Sequence, residues 1–176
     1  NFEFVGGDIA NIDEFKSALT DVTDVIFLAG LVGDPITKKY PKAAGTINDR
    51  AYALMFDTLD DFNLNKVIFV STCSNYGMIR DNSLANEEFE LMPLSLYAEA
   101  KVKNELNLLS RISSASYSAT VLRFATAFGL SPRMRFDLTV NEFVRELYLG
   151  NELLVFDANT WRPYCHVSDF ADVLHR

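Results

Sequence analysis

Lys66-Val67-Ile68-Phe69-Val70 followed by Ser71-Thr72-Cys73-Ser74-Asn75-Tyr76-Gly77 reads as a strand buried on both faces that leaves the core through hydroxyl and amide side chains. A second continuous apolar run, Asp24-Val25-Ile26-Phe27-Leu28-Ala29, has the character of another strand covered on both faces. Working outward, amphipathic stretches separate such runs. Asn11 with Glu14 three residues later opens a helix that reaches about Leu19. Residues 46–62 place Ala51, Leu54, Met55, Thr58 and Leu59 at helical spacing. Ser95 caps a helix to about Arg111, and residues 141–149 form another. Residues 2–5 and 118–124 read as further strands. Short strands alternating with helices are economically joined as parallel strands with right-handed crossovers, which predicts a doubly wound α/β sheet. Ligands on such sheets bind beyond the carboxyl ends of the strands. The chemistry is therefore expected in Gly6-Gly7-Asp8-Ile9, in 29–35, in 71–77 and in 125–129.

Composition narrows the function. The 176 residues carry 24 acidic and 16 basic side chains, a formal charge of -8, which argues against nucleic acid or an anionic membrane as partner. A hydrophobic share of 49% implies a packed core. No apolar run is long enough to span a bilayer, and no charged segment with an apolar stretch opens the chain. Two cysteines without CxxC spacing and only 2 His argue against a disulfide scaffold or a metal site, and a reducing cytoplasm fits.

Tyr97 and Lys101 sit four apart near the start of a helix and so project from one face. A phenol ionises near about pH 10, and a lysine ammonium held beside it favours the phenolate, as does the helix N-terminus. That pair follows the hydroxyl-rich strand exit at Thr72. Cys73 reads as a small structural thiol and His166 as a hydrogen-bonded structural imidazole. Lys38, Lys39 and Lys42 read as a solvated face.

Six motifs occur in order along the chain. They are Val5-Gly6-Gly7-Asp8-Ile9, Phe27-Leu28-Ala29-Gly30, Ser71-Thr72 with Tyr76-Gly77, Tyr97-x-x-x-Lys101, Leu122-Arg123-Phe124 with Gly129, and Arg162-Pro163-Tyr164-x-His166-Val167-x-Asp169. Together they resemble the extended short-chain dehydrogenase/reductases, and more narrowly the NAD-dependent epimerase/dehydratase family acting on nucleotide sugars. The resemblance implies a Rossmann-like sheet lacking its first strands, with the beginning of a smaller substrate-binding lobe. It implies Tyr97 as the base for a sugar hydroxyl, Lys101 as the group that lowers its pKa and holds the nicotinamide ribose, and Thr72 as a hydrogen-bond donor to the reacting oxygen. Asp8 would read the adenine with Ile9 beside it, and Leu28, Ala29 and Gly30 would pass the cofactor's phosphate and ribose, where small residues permit close approach. Ala127 falls near the nicotinamide, where the family often has Pro, and Thr126 falls where an Asn often meets the sugar nucleotide. Arg162 matches the arginine that grips the substrate diphosphate.

Cys73 and Ser74 stand where the family's dehydratases carry an acid–base pair after the threonine, and neither side chain does that work at neutral pH. The resemblance therefore points to an NAD-dependent epimerase of a nucleoside-diphosphate sugar working through a transient keto intermediate. A reductase of a nucleotide-linked keto sugar and a non-catalytic dinucleotide sensor or scaffold are the alternatives, and NADP is left open beside NAD. Relatives imply a homodimer through helices near 46–62 and 97–111. The motif order places a cofactor-binding domain at 1–128 and the start of a substrate lobe and return segment at 129–176, both incomplete at their outer ends. The sequence contains no GxGxxG or GxxGxxG turn to hold a pyrophosphate.

Overall fold

A computed structural model describes residues 2–80 and 83–176. The chain divides into two compact units, Asn1–Arg123 and Phe124–Arg176. In the first, a sheet runs in the order β1 (Asp24–Phe27), β2 (Lys66–Thr72) and β3 (Ser118–Phe124). β1 and β2 are parallel, with Val25 opposite Val67 and Phe27 opposite Phe69. Parallel neighbours require a crossover, and here it is helical: α2 (Asp34–Lys39), α3 (Pro41–Ala44), a π-helical segment Gly45–Ala51 and α4 (Tyr52–Leu59). Ala44 and Ala51 keep helical dihedrals, so the chain from Pro41 to Leu59 winds without a break. The sequence expectation of a helix over 46–62 is thus displaced toward the N-terminus. Pro41 needs no helical N–H acceptor at the first position and starts the helix early.

The core lies between this helix and the sheet. Tyr52, Met55, Phe56 and Leu59 of α4 are buried with Phe27, Val67 and Phe69, and Leu108 joins them from α5 (Leu96–Arg111). Phe56 meets Phe27 edge-on at 5.3 Å and Phe69 at 6.0 Å, while Tyr52 meets Phe69 at 5.5 Å. Each such pair adds about 0.5–1.5 kcal/mol beyond area burial. α1 (Ile12–Ala18) is capped as expected by Asn11, whose side chain accepts from the Asp13 N–H. The Glu14 carboxylate turns back to accept from the Asp8 N–H at 2.7 Å and from the Asn11 amide at 2.8 Å.

Two strand expectations change. Residues 2–5 are not a strand: Phe2 and Phe4 are exposed, and among the described residues no strand pairs with them. Alternation alone makes no ladder; the backbone groups need a partner. β1 is covered on one face only. It ends the described sheet, and Ile26 and Leu28 are open to solvent while Phe27 is buried.

In the second unit β4 (Thr126–Phe128) pairs in parallel with β5 (Tyr164–His166). α6 (Thr139–Tyr148) begins two residues before its expected start, and α7 (Val167–His175) is capped by His166, whose Nδ1 accepts from the Ser168 N–H. Phe124 and Phe170 stack at 4.0 Å. Gly129 adopts φ +119°, and a Cβ there would lie 2.4 Å from the His166 ring, so both dihedral and space demand glycine.

Candidate functional site

The side chain of Ser95 accepts from the Ala98 N–H and starts α5, which places Tyr97 and Lys101 one turn apart on one face. Lys101 is 9% exposed, and its ammonium donates to the Val70 carbonyl at 2.7 Å, two residues before Thr72. The same ammonium lies 4.5 Å from the centre of the Phe69 ring, 5.8 Å from Tyr52 and 5.9 Å from Tyr97. Burial pulls the Lys101 pKa down to about 8, opposed by the negative charge of Glu105. Helix α5 and the exit of β2 thus bring Tyr97 and Lys101 beside the segment carrying Thr72. Thr72 ends the strand in extended conformation, its hydroxyl accepting from the Ser74 N–H at 3.2 Å, and a 3-10 turn Cys73–Tyr76 follows. Burial, and after it the nearby Tyr97, push the Tyr52 phenol well above its ordinary range, so it stays a neutral donor.

The exit of β1 faces the same helix. Leu28, Ala29 and Gly30 are exposed, and Gly30 adopts φ +142°. Tyr52 donates its hydroxyl to the Ala29 carbonyl at 2.6 Å. Asn48 brackets Leu31, accepting from its N–H and donating to its carbonyl, each at 2.9 Å. A Cβ on Gly30 would come within 3.1 Å of the Asn48 amide oxygen. Asn104 of α5 donates in turn to the Asn48 carbonyl at 2.8 Å. The resulting cleft is lined by Ala29, Gly30, Asn48, Tyr52, Tyr97 and Lys101. Small residues with open backbone beside an ammonium holding three donors suit the hydroxyls and phosphate of a bound nucleotide.

The remaining sequence candidates lie elsewhere. Asp8 is exposed in a turn, its carboxylate accepting from the Ala10 N–H at 2.9 Å, and Ile9 packs against the core. In the second unit Arg162 Nε donates to Thr126 Oγ1 at 2.7 Å, which joins two of the candidates. Ala127 follows Thr126 in β4, opposite Cys165. Cys73 and Cys165 are both thiols, and among the described residues no cluster of His, Cys, Asp and Glu could hold a metal ion.

Sequence reasoning missed Asn48, Tyr52, Glu105 and the demand placed on Gly77. Gly77 follows the turn at φ +67°, and a Cβ there would lie 2.1 Å from the Met92 carbonyl oxygen. Tyr97, Lys101 and Glu105 repeat every four residues along one helix face, a spacing that groups Glu105 with the pair but does not by itself bury its carboxylate. Arg123, quoted only as part of a motif, is the one charged side chain of β3.

A model of the NAD dependent epimerase/dehydratase family matches residues 1–176. The chain belongs to that family. This epimerase/dehydratase-family chain is 25% identical to the UDP-glucuronate 4-epimerase of Thermodesulfobacterium geofontis over 175 residues, 97% of this chain and 53% of that protein. Among solved structures, the UDP-N-acetylglucosamine 4-epimerase of Methanobrevibacter ruminantium, in complex with UDP-N-acetylmuramic acid, matches at TM-score 0.82 and 26% identity, covering 96% of this chain and 55% of that one. The UDP-glucuronic acid 4-epimerase of Bacillus cereus, in complex with UDP-glucuronic acid and NAD, matches at TM-score 0.83 and 24% identity, covering 99% and 56%. The fold is accordingly the Rossmann-like α/β fold of those enzymes. The chain spans about half the length of the curated relatives it matches.

Proposed function

We propose that this chain carries the catalytic segment of an NAD-dependent epimerase of a nucleoside-diphosphate sugar, acting through a transient keto intermediate. The observation that supports this most is the buried Lys101 ammonium, held between the strand end that carries Thr72 and the ring of Tyr97. A cation so placed favours the phenolate and makes Tyr97 a base for the sugar hydroxyl. Thr72 donates its hydroxyl to the same oxygen, and Lys101 uses its remaining donors on the nicotinamide ribose. When bound, NAD supplies a reversible hydride acceptor, which allows a sugar carbinol to be re-formed with inverted configuration.

The other candidates bind. Leu28, Ala29 and Gly30 offer exposed backbone to the cofactor's phosphate and ribose, the Asp8 carboxylate accepts from the adenine amine, and Ile9 supports it. Ala127 leaves room beside the nicotinamide. Thr126 orients the Arg162 guanidinium, whose fork of donors grips the substrate diphosphate. Residues 1–128 act as the cofactor-binding domain and 129–176 as the start of the substrate lobe. Cys73 and Ser74 supply no acid–base pair, which favours epimerisation over dehydration.

Leu54 on α4 and Leu106 and Leu109 on α5 are exposed apolar side chains on the helices near 46–62 and 97–111, and they support a homodimer through that face. Among the described residues no helix is long and apolar enough to cross a membrane; we place the enzyme in the cytoplasm.

The test uses the complete protein with UDP-glucose and UDP-glucuronic acid. Tyr97→Phe lowers turnover by about 10²–10⁴-fold while NAD stays bound; undiminished turnover overturns the mechanism. Turnover without net consumption of reduced cofactor marks an epimerase, and stoichiometric consumption marks a reductase instead.

A further inference from the structure

We infer that Glu105, together with Arg123, is a positioning residue that holds the Thr72 turn in its working shape. The inference rests on the proposed role of Thr72. Glu105 is 1% exposed, yet both carboxylate oxygens are engaged. One accepts from the Ser71 hydroxyl and from the Asn75 amide at 2.6 Å. The other accepts from Arg123 Nε at 2.9 Å and Nη2 at 2.8 Å. Ser71 immediately precedes Thr72 and Asn75 lies three residues after it, so a single carboxylate grips the turn on both sides. Arg123 extends the grip, donating from Nη1 to the Tyr76 hydroxyl at 3.1 Å and to the Glu87 carbonyl at 2.9 Å. The guanidinium also stacks over the Tyr76 ring, 5.3 Å from its centre. Four successive elements of the candidate site are thereby tied to one buried charge: the end of β2, the 3-10 turn, the segment around Glu87 and helix α5.

Stability alone is a poor reason for this arrangement. A buried ion pair forfeits in desolvation much of what it gains, and an apolar pair of similar volume often serves stability as well or better. Asn75 also commits its amide N–H groups to Ser71 and Glu105 while its own carbonyl oxygen has no partner; among the described residues it is the one buried side-chain polar atom in that state. An orphaned acceptor is costly to keep buried. A network that keeps such a cost beside a candidate reacting group is specifying geometry. The same carboxylate lies one helical turn from Lys101, so the face that presents Tyr97 and Lys101 also presents the group that fixes Thr72.

The deciding experiment compares the complete protein with the double variant Glu105→Gln, Arg123→Met, which removes both charges together, and with Thr72→Val. The double variant is expected to melt near the native temperature, but with turnover of UDP-glucuronic acid lowered about a hundredfold and with KM and NAD affinity changed by no more than about threefold. Amide exchange is expected to accelerate at residues 73–80 and 87–92. Native turnover and native exchange in a double variant that melts normally overturn the inference. Where the double variant melts well below the native protein, Arg123→Lys carries the same readouts, because it keeps the charge but loses the two-nitrogen grip on Glu105. Native turnover in Thr72→Val overturns the role of Thr72 itself, and the exchange comparison still decides whether Glu105 holds the turn.

Discussion

The two adjacent parallel strands β1 and β2 leave the sheet side by side and are held in opposite ways. The exit of β2 is locked from behind by charged and amide side chains, with Ser71 and Asn75 buried and Glu105 and Arg123 closing on them. The exit of β1 is open, with Leu28, Ala29 and Gly30 exposed, the Tyr52 hydroxyl on the Ala29 carbonyl and the Asn48 amide on the Leu31 backbone. The contrast fits the roles proposed for the two exits. A reacting hydroxyl such as that proposed for Thr72 gains from a fixed position. A surface that receives a phosphate or a ribose gains from bare backbone, and it is enough to hold the chain from one side.

That comparison can be broken most forcefully at Gly77. Gly77→Ala places a Cβ against the Met92 carbonyl at a left-handed dihedral, and about 3 kcal/mol or more of stability is lost; a thermal melt of the complete protein that is unmoved shows that the closed exit tolerates slack. The next effect is in pH. The unfolded Lys101 holds its proton to about 10.5 and the folded one only to about 8. Between those values the unfolded state binds more protons, so stability rises with pH across the window, by a few kcal/mol at most. Lys101→Met lacks that rise, and denaturation midpoints measured across the window read the difference. At the open exit Asn48→Ala leaves the Leu31 N–H and carbonyl without their side-chain partner and costs about 1–3 kcal/mol. NAD affinity should fall with it while the KM for the sugar nucleotide stays put; the reverse pattern would exchange the roles of the two exits. Smallest is Tyr52→Phe, which deletes one hydrogen bond to Ala29 and costs about 1 kcal/mol by melting.

Much of this was legible beforehand because it is local. The caps at Asn11 and Ser95, the buried β2 and the one-turn spacing of Tyr97 and Lys101 depend on residues within a few positions of each other, and the structure has each where the residues indicate. The open face of β1 was not legible, because Val25-Ile26-Phe27-Leu28 is equally apolar whether one or both faces are covered; the neighbours decide. Glu105 reads as a solvated helix charge until Arg123, 18 residues on, and Ser71, 34 residues back, are brought to it. The π-helical segment Gly45–Ala51 carries no sequence signal that distinguishes it from an ordinary helix, although it is there that Asn48 meets the exit of β1.

The sequence by itself determined the central strands β1, β2 and β3, the main helices between and after them, the family and the candidate pair on α5, since periodicity, capping chemistry and motif spacing are written along the chain. Only the tertiary structure decided which polar side chains are buried and what they hold, because burial of a charge is set by partners that come from distant segments. Thr72 and Lys101 were nameable from the chain alone; the carboxylate that ties Ser71 and Asn75 into one turn around Thr72 became visible only when β2, β3 and α5 came together.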